Sequence, residues 1–177
     1  MCVYGDTSDR APPVGVSIPA HPLDLYGESK VEAERLVTSS GIAYMILRIS
    51  GISVPAFLEP PAIWPFRADQ RIEFICRNDV VAALVACAEA ERALGNIWNI
   101  AGGPTWRMLG REYVAGLNDA MGLPAEEARY SERPGHFDWY ETGESRAVLG
   151  YQRTSYPQFL ELLEGAIDAA LQGWGNA

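Results

Sequence analysis

The chain of 177 residues is 48% hydrophobic and 21% charged, the composition of one globular domain with a core rather than of a disordered or repetitive chain. Its formal net charge of −9 and pI near 4.7 exclude an electropositive nucleic-acid surface, because phosphate recognition needs clustered Lys and Arg to displace counterions. The longest apolar runs, VVAALVACA and IAYMIL, are far short of a membrane span. The first residues lack the basic start and apolar run of a signal peptide. The three cysteines, Cys2, Cys76 and Cys87, are odd in number and lack zinc-site spacing, so they are expected as free thiols in a reducing compartment, with no metal site. These features together predict a cytoplasmic protein that binds neither nucleic acid nor membrane.

In chain order, residues 6–23 carry Asp, Ser, Gly and prolines and read as an exposed loop. Asp24 is placed to cap a helix running to about Ser39, with Leu25, Val31, Ala33, Leu36 and Val37 supplying apolar contacts. Glu28, Glu32 and Glu34 face outward in part, and Gly41 stops the helix. IAYMILRI (42–49) has the length and β-branched content of a strand buried on both faces of a parallel sheet. Residues 50–70, rich in Gly, Pro and aromatics, are expected to be irregular. A short strand at RIEFIC (71–76) precedes a helix capped by Asp79 and ending near Gly95, then a strand at IWNIA. Residues 107–121 form an amphipathic helix closed by Gly122, residues 123–142 a polar and aromatic loop, and 143–149 and 156–172 the last two helices. Strands alternating with helices make the class α/β.

Within the first helix, Tyr26 stands four residues ahead of Lys30, which is the only lysine of the sequence. Residues i and i+4 share a helical face, and an ammonium beside a phenol favours the phenolate. Such a pair can take a proton from a substrate hydroxyl while hydride leaves the same carbon, and the lysine can also hydrogen-bond a ribose. The plainer alternative is an amphipathic helix whose Tyr and Lys sit at its edge in solvent. His21 lies in a proline-flanked loop and reads as solvated; His136, with no partner visible in the sequence, reads as structural.

VYGD at 3–6, P-x-D-x-YGESK-x-x-x-E at 22–34, the strand ending in LR at 47–48, RIEFICRNDVVAALVACAEA, NIWNIAGG, RPG at 133–135, SRAVLGYQ and Pro157 together resemble, in order, the extended short-chain dehydrogenase/reductase family of NAD-dependent epimerases and dehydratases. The resemblance implies the C-terminal part of a Rossmann-like, doubly wound parallel sheet plus a small substrate-binding lobe. It divides residues 1–177, as a single incomplete domain, into a residual Rossmann portion with the catalytic helix (1–55) and a mostly substrate-binding lobe with returning sheet segments (56–177). It implies Tyr26 as catalytic acid or base and Lys30 as the residue that positions the nicotinamide ribose. Ser50 then lines the cofactor pocket, and Arg133 reaches the pyrophosphate of a nucleotide sugar, a role suited to the planar guanidinium fork.

The cofactor so implied is NAD or NADP. The glycine-rich strand–turn–helix that holds its pyrophosphate has no counterpart in these residues, and the family's catalytic Ser or Thr falls just ahead of the position of Met1. Gly51 and His136 stand where the family often has Asn and Asp. Two readings follow. In one, the chain belongs to an NAD(P)-dependent epimerase, dehydratase or reductase of a nucleotide sugar, inactive by itself and completed as a homodimer or by a complementing N-terminal chain. In the other, it is a non-catalytic remnant or interaction module that keeps the substrate lobe and dimer helix. An uncovered parallel strand leaves backbone groups unpaired, so both readings expect marginal stability or a partner.

Overall fold

A computed structural model describes residues 1–124 and 128–174. Helix α1 (Leu25–Ser39) starts where the sequence predicts, with Asp24 Oδ1 accepting from the Gly27 amide at 2.7 Å. Its C-cap is Ser40, one residue before the positive-φ Gly41. The expected apolar face is not buried. Leu25 and Leu36 are exposed, and Gly27 is the one fully buried residue of the helix. Gly27 is required there because a Cβ would lie 2.7 Å from Pro22 Cβ and 3.0 Å from the Cys2 carbonyl oxygen.

Strand β1 (Met45–Ile49) is shorter than the apolar run and only half-buried, not covered on both faces. It pairs in parallel with β5 (Asn96–Ile100), Met45 opposite Asn96 and Ile49 opposite Ile100. Beyond Ser50, whose amide donates to the Ile100 carbonyl at 2.9 Å, the chain continues as β2 (Ile52–Ser53) and pairs in parallel with β4 (Ile75–Cys76). Gly51 lies under the ring of Phe74, where a Cβ would come within 2.5 Å of an aromatic carbon. That contact is a packing reason for glycine at this position.

The single strand expected at RIEFIC is two. β3 (Arg71–Glu73) pairs antiparallel with β6 (Arg107–Leu109), and after Phe74 the chain changes partner to become β4. The change occurs because Phe74 turns its carbonyl to the Gly102 amide at 2.9 Å while its ring enters the aromatic cluster of the lobe. Residues 107–109 are therefore strand, and α3 (Gly110–Met121) begins three residues later than expected, with Glu112 accepting from the Leu109 amide.

Asp79 is not the cap of α2 (Arg77–Cys87); Cys76 precedes the helix and Asp79 lies in its first turn. Its buried carboxylate instead accepts from the Arg153 and Thr154 amides and the Thr154 hydroxyl, fastening the segment before α5 (Tyr156–Trp174). The α2 helix ends at Cys87, short of Gly95. Helix α4 (Gly143–Leu149) closes on Gly150 in the left-handed conformation.

Three apolar clusters hold these elements. An aromatic one joins Phe66, Phe74, Trp106, Tyr113, Tyr156 and Phe159 between the β3–β6 pair, α3 and α5. A second packs Ile75, Val80, Trp98, Ile100, Leu149 and Tyr151 around α2 and β5. A third sets Val3, Tyr4 and Val14 against Ala101 and Tyr140, beneath the start of the chain. Among the described residues no helix is long and apolar enough to cross a membrane. The three cysteines form no disulfide.

Candidate active site

Helix α1 holds Tyr26 and Lys30 on one face. The Lys30 ammonium sits over the Tyr26 ring, 5.1 Å from its centroid, so in this arrangement it engages the π-face of the phenol. Tyr26 is 62% exposed, and its hydroxyl has no hydrogen-bond partner among the described residues. Both side chains line a groove of about 460 Å³ that runs between α1 and the whole of β1, floored by Met1, Val3, Met45 and Leu47. β1 has β5 on one edge; the groove lies along its other side.

Ser50 follows Ile49, the last groove residue of β1, and is itself buried, at 5% exposure. Its Oγ is a buried side-chain oxygen with no hydrogen-bond partner among the described residues. Buried hydroxyls are nearly always satisfied, so this one is an exception within the fold. The structure thus brings Tyr26 and Lys30 together on the groove, whereas Ser50 is not among the groove's lining residues.

Arg133 does not line this groove. It is exposed, and its side chain has no ion pair among the described residues, Glu132 included. Its loop borders a second cavity of about 270 Å³ through Pro134, Phe137 and Asp138, facing Arg67 and Arg71. Both of those arginines are already paired, Arg67 with Asp69 and Arg71 with Asp138, each at 2.7 Å. His136 stacks on Phe137. Burial, then the Met1 amino group, hold its imidazole below the usual histidine range, with the Asp24 carboxylate opposing. His21 is exposed, as its loop position predicts.

Three ion pairs around these sites were not legible as pairs in the sequence. Glu34, expected to face outward in part, binds Arg48 of β1 through both carboxylate oxygens, at 3.0 and 2.7 Å. Arg71 reaches Asp138, which also accepts from the Thr7 hydroxyl, and so ties the loop after VYG to the RPG loop. Glu73 is fully buried and accepts from the Gly103 amide, the Tyr140 amide and Arg107 Nε, each at 2.9 Å. Burial raises the Glu73 carboxyl above its ordinary value, opposed by the Tyr140 amide and Arg107. Motif spacing signals Glu34 and Arg48 singly, as the ends of YGESK-x-x-x-E and of LR. Their pairing depends on the crossing of α1 over β1, which spacing does not carry.

Alternating strands and helices, with parallel pairing of β1 with β5 and of β2 with β4, define a Rossmann-like α/β protein. Among solved structures, UDP-glucuronic acid 4-epimerase from Bacillus cereus in complex with NAD superposes with a TM-score of 0.75 at 20% identity, over 97% of this chain and 59% of that one. MoeE5 in complex with UDP-glucose and NAD gives 0.76 at 22% identity, over 96% and 63%. RMD from Pseudomonas aeruginosa complexed with NADPH gives 0.73 at 17%, over 93% and 63%. The chain thus shares their fold and spans about three fifths of their length. No protein-family profile matches it, and no curated protein matches it in sequence. Among the described residues no cluster of three or more His, Cys, Asp or Glu could hold a metal ion.

Proposed function

We propose that this chain carries the catalytic helix and substrate lobe of an NAD(P)-dependent epimerase, dehydratase or reductase acting on a nucleotide sugar or a similar hydroxyl or carbonyl substrate. The observation that carries the reading is the pairing of Tyr26 with Lys30, the sole lysine, on the groove face of α1. A fold shared with enzymes solved with NAD or NADPH and with UDP-sugars supports it.

In this reading the Tyr26 hydroxyl gives or takes the proton of the reacting sugar hydroxyl, and the Lys30 ammonium stabilises the phenolate that results. Tyr26, Lys30 and the unpartnered Ser50 hydroxyl are the residues that would hold the nicotinamide end of the cofactor. When bound, that group supplies hydride acceptance and return. Arg133, exposed and unpaired, offers its guanidinium to the substrate pyrophosphate. In this reading Tyr26 and Lys30 suit the nicotinamide end of the cofactor, and no glycine-rich cradle for its pyrophosphate is found among these residues. That cradle comes from a complementing N-terminal chain, because a second copy of these residues has no glycine-rich turn to offer.

One observation favours a second reading, an interaction module that binds no cofactor. Leu25 and Leu36 of α1 are exposed beside a groove that runs the length of β1, as a face meant for another chain would be. A single variant separates the two. In the chain joined to a glycine-rich dinucleotide-binding half, Tyr26→Phe should abolish turnover of UDP-glucuronic acid while NADH binding persists. Unchanged turnover in that variant removes Tyr26 from the chemistry. Absence of cofactor binding in the joined protein favours the interaction module.

A further inference from the structure

Helix α1 is held to the rest of the molecule at few points. Gly27 is its one fully buried residue, fixed against Pro22 and the Cys2 carbonyl, and most of its other side chains are exposed. Val31, partly buried against the cluster of Val3, Tyr4 and Val14, adds a second packed point in the first half of the helix, so the second half must be fixed by other contacts. A polar anchor lies there, at Glu34. Because successive residues advance by about 100°, positions four and eight apart lie about 40° and 80° round the helix, along one slanting ridge. Tyr26, Lys30 and Glu34 are such a series, and all three line the groove.

The group that grips Glu34 is Arg48, on the strand that forms the opposite wall. Its Nε and Nη2 donate to the two carboxylate oxygens at 3.0 and 2.7 Å, with side-chain exposures of 8% for Arg48 and 16% for Glu34. Its Nη1 donates to the Tyr4 hydroxyl at 2.8 Å and to the Val16 carbonyl at 3.2 Å, and the guanidinium carbon stands 4.8 Å from the centre of the Tyr4 ring. Tyr4 in turn donates to Asn99 Oδ1 on β5 at 2.6 Å, and Asn99 donates to the Val14 carbonyl at 2.9 Å. Burial pushes the Tyr4 phenol up, with Arg48 opposing, so Tyr4 is held as the donor this relay needs. On β1, the Arg48 guanidinium thus ties together three other segments, through Glu34, Tyr4 and Val16, with β5 joined through Tyr4; one of the three is the helix that carries the reactive pair.

We infer that Arg48 is a positioning residue: through Glu34 it sets the roll of α1 and so aims Tyr26 and Lys30 into the groove. The task needs arginine rather than lysine, because only the guanidinium can hold a carboxylate on two nitrogens and still reach the Tyr4 hydroxyl with the third. The inference rests on the redox reading above for what the pair is aimed at; the restraint on the helix stands independently of it.

Hydrogen–deuterium exchange of the 177-residue chain tests the restraint without turnover. Arg48→Met should accelerate exchange across residues 28–39 by about tenfold or more, the local opening expected when a buried bidentate pair is lost, while α3 and α5 exchange at the parent rate. Arg48→Lys should fall between parent and Arg48→Met. Glu34→Gln, which removes no anchor other than this one, should loosen the same residues. Exchange within about twofold of the parent in both Arg48→Met and Glu34→Gln, or acceleration equal in α1, α3 and α5, overturns the inference. In the joined protein described above, Arg48→Lys should lower kcat with little change in KM; a loosened helix with unchanged kcat overturns the positioning role and leaves the redox reading intact. Full turnover by Tyr26→Phe has the reverse meaning: it ends the redox reading, and the exchange result still stands.

Discussion

Replacing Glu73 by alanine should destabilise the fold severely, for a reason that can be counted. The carboxylate is fully buried and joins three places: the turn after β5 through the Gly103 amide, β6 through Arg107, and the loop before α4 through the Tyr140 amide. Arg107 retains 27% side-chain exposure and can return its Nε to water at small cost. The Gly103 and Tyr140 amides are buried and cannot, and a buried donor left without a partner costs about 1–3 kcal/mol. Two of them give a loss of about 4 kcal/mol, a large share of the roughly 5–15 kcal/mol that holds a typical domain together. In urea, with a slope of about 2 kcal/mol per molar for a domain of this size, the midpoint should drop by about 2 M with the slope unchanged. A loss under about 1 kcal/mol would refute the reasoning, by requiring that water reaches those amides or that the three segments are held together by other contacts.

Removing the α1 cap with Asp24→Ala should cost about 1 kcal/mol, read as a lowered thermal midpoint, because the Gly27 amide loses its acceptor at 2.7 Å. Gly27→Ala should cost about 1–3 kcal/mol by overpacking, since the new methyl meets Pro22 Cβ at 2.7 Å and the Cys2 carbonyl oxygen at 3.0 Å. A neutral result for Gly27→Ala would mean that α1 moves freely on the turn below it. For His136 the folded-state value lies below the ordinary 6.5, so the folded chain binds fewer protons than the unfolded one. Its contribution is present above pH 6.5 and is lost as pH falls through the folded value. The unfolding free energy of the parent should fall on acidification through that window by up to about 1.4 kcal/mol per pH unit from this group, read as a lowered thermal midpoint, and His136→Asn should flatten the fall.

The parts of this molecule that local chemistry determines could be read in advance. The α1 helix, its Asp24 cap, the strand at 45–49 and the helices closed by Gly122 and Gly150 follow from periodicity and punctuation within a few residues of chain. The departures are tertiary. Asp79 has the residue type and place of a cap, yet a loop 74 residues away claims its carboxylate. RIEFIC has the pattern of one strand, yet Phe74 divides it because its ring belongs to the aromatic cluster of the lobe. Leu25 and Leu36 have the spacing of a buried face and are exposed. Of the candidate site, the Tyr26 and Lys30 pair is a local i, i+4 relation and was legible, whereas the Arg48 hub needs α1, β1, β5 and the first turn to be brought together.

In the proposed function, Tyr26 and Lys30 hold the reactive end of a dinucleotide site whose pyrophosphate cradle comes from further polypeptide. Fluorescence titration with NADH tests it most directly, on the 177-residue chain and on the chain joined to a glycine-rich dinucleotide-binding half. The first should show no saturable binding in the low micromolar range and the second should bind saturably. Saturable low-micromolar binding by the chain alone, or no binding by the joined protein, would contradict it.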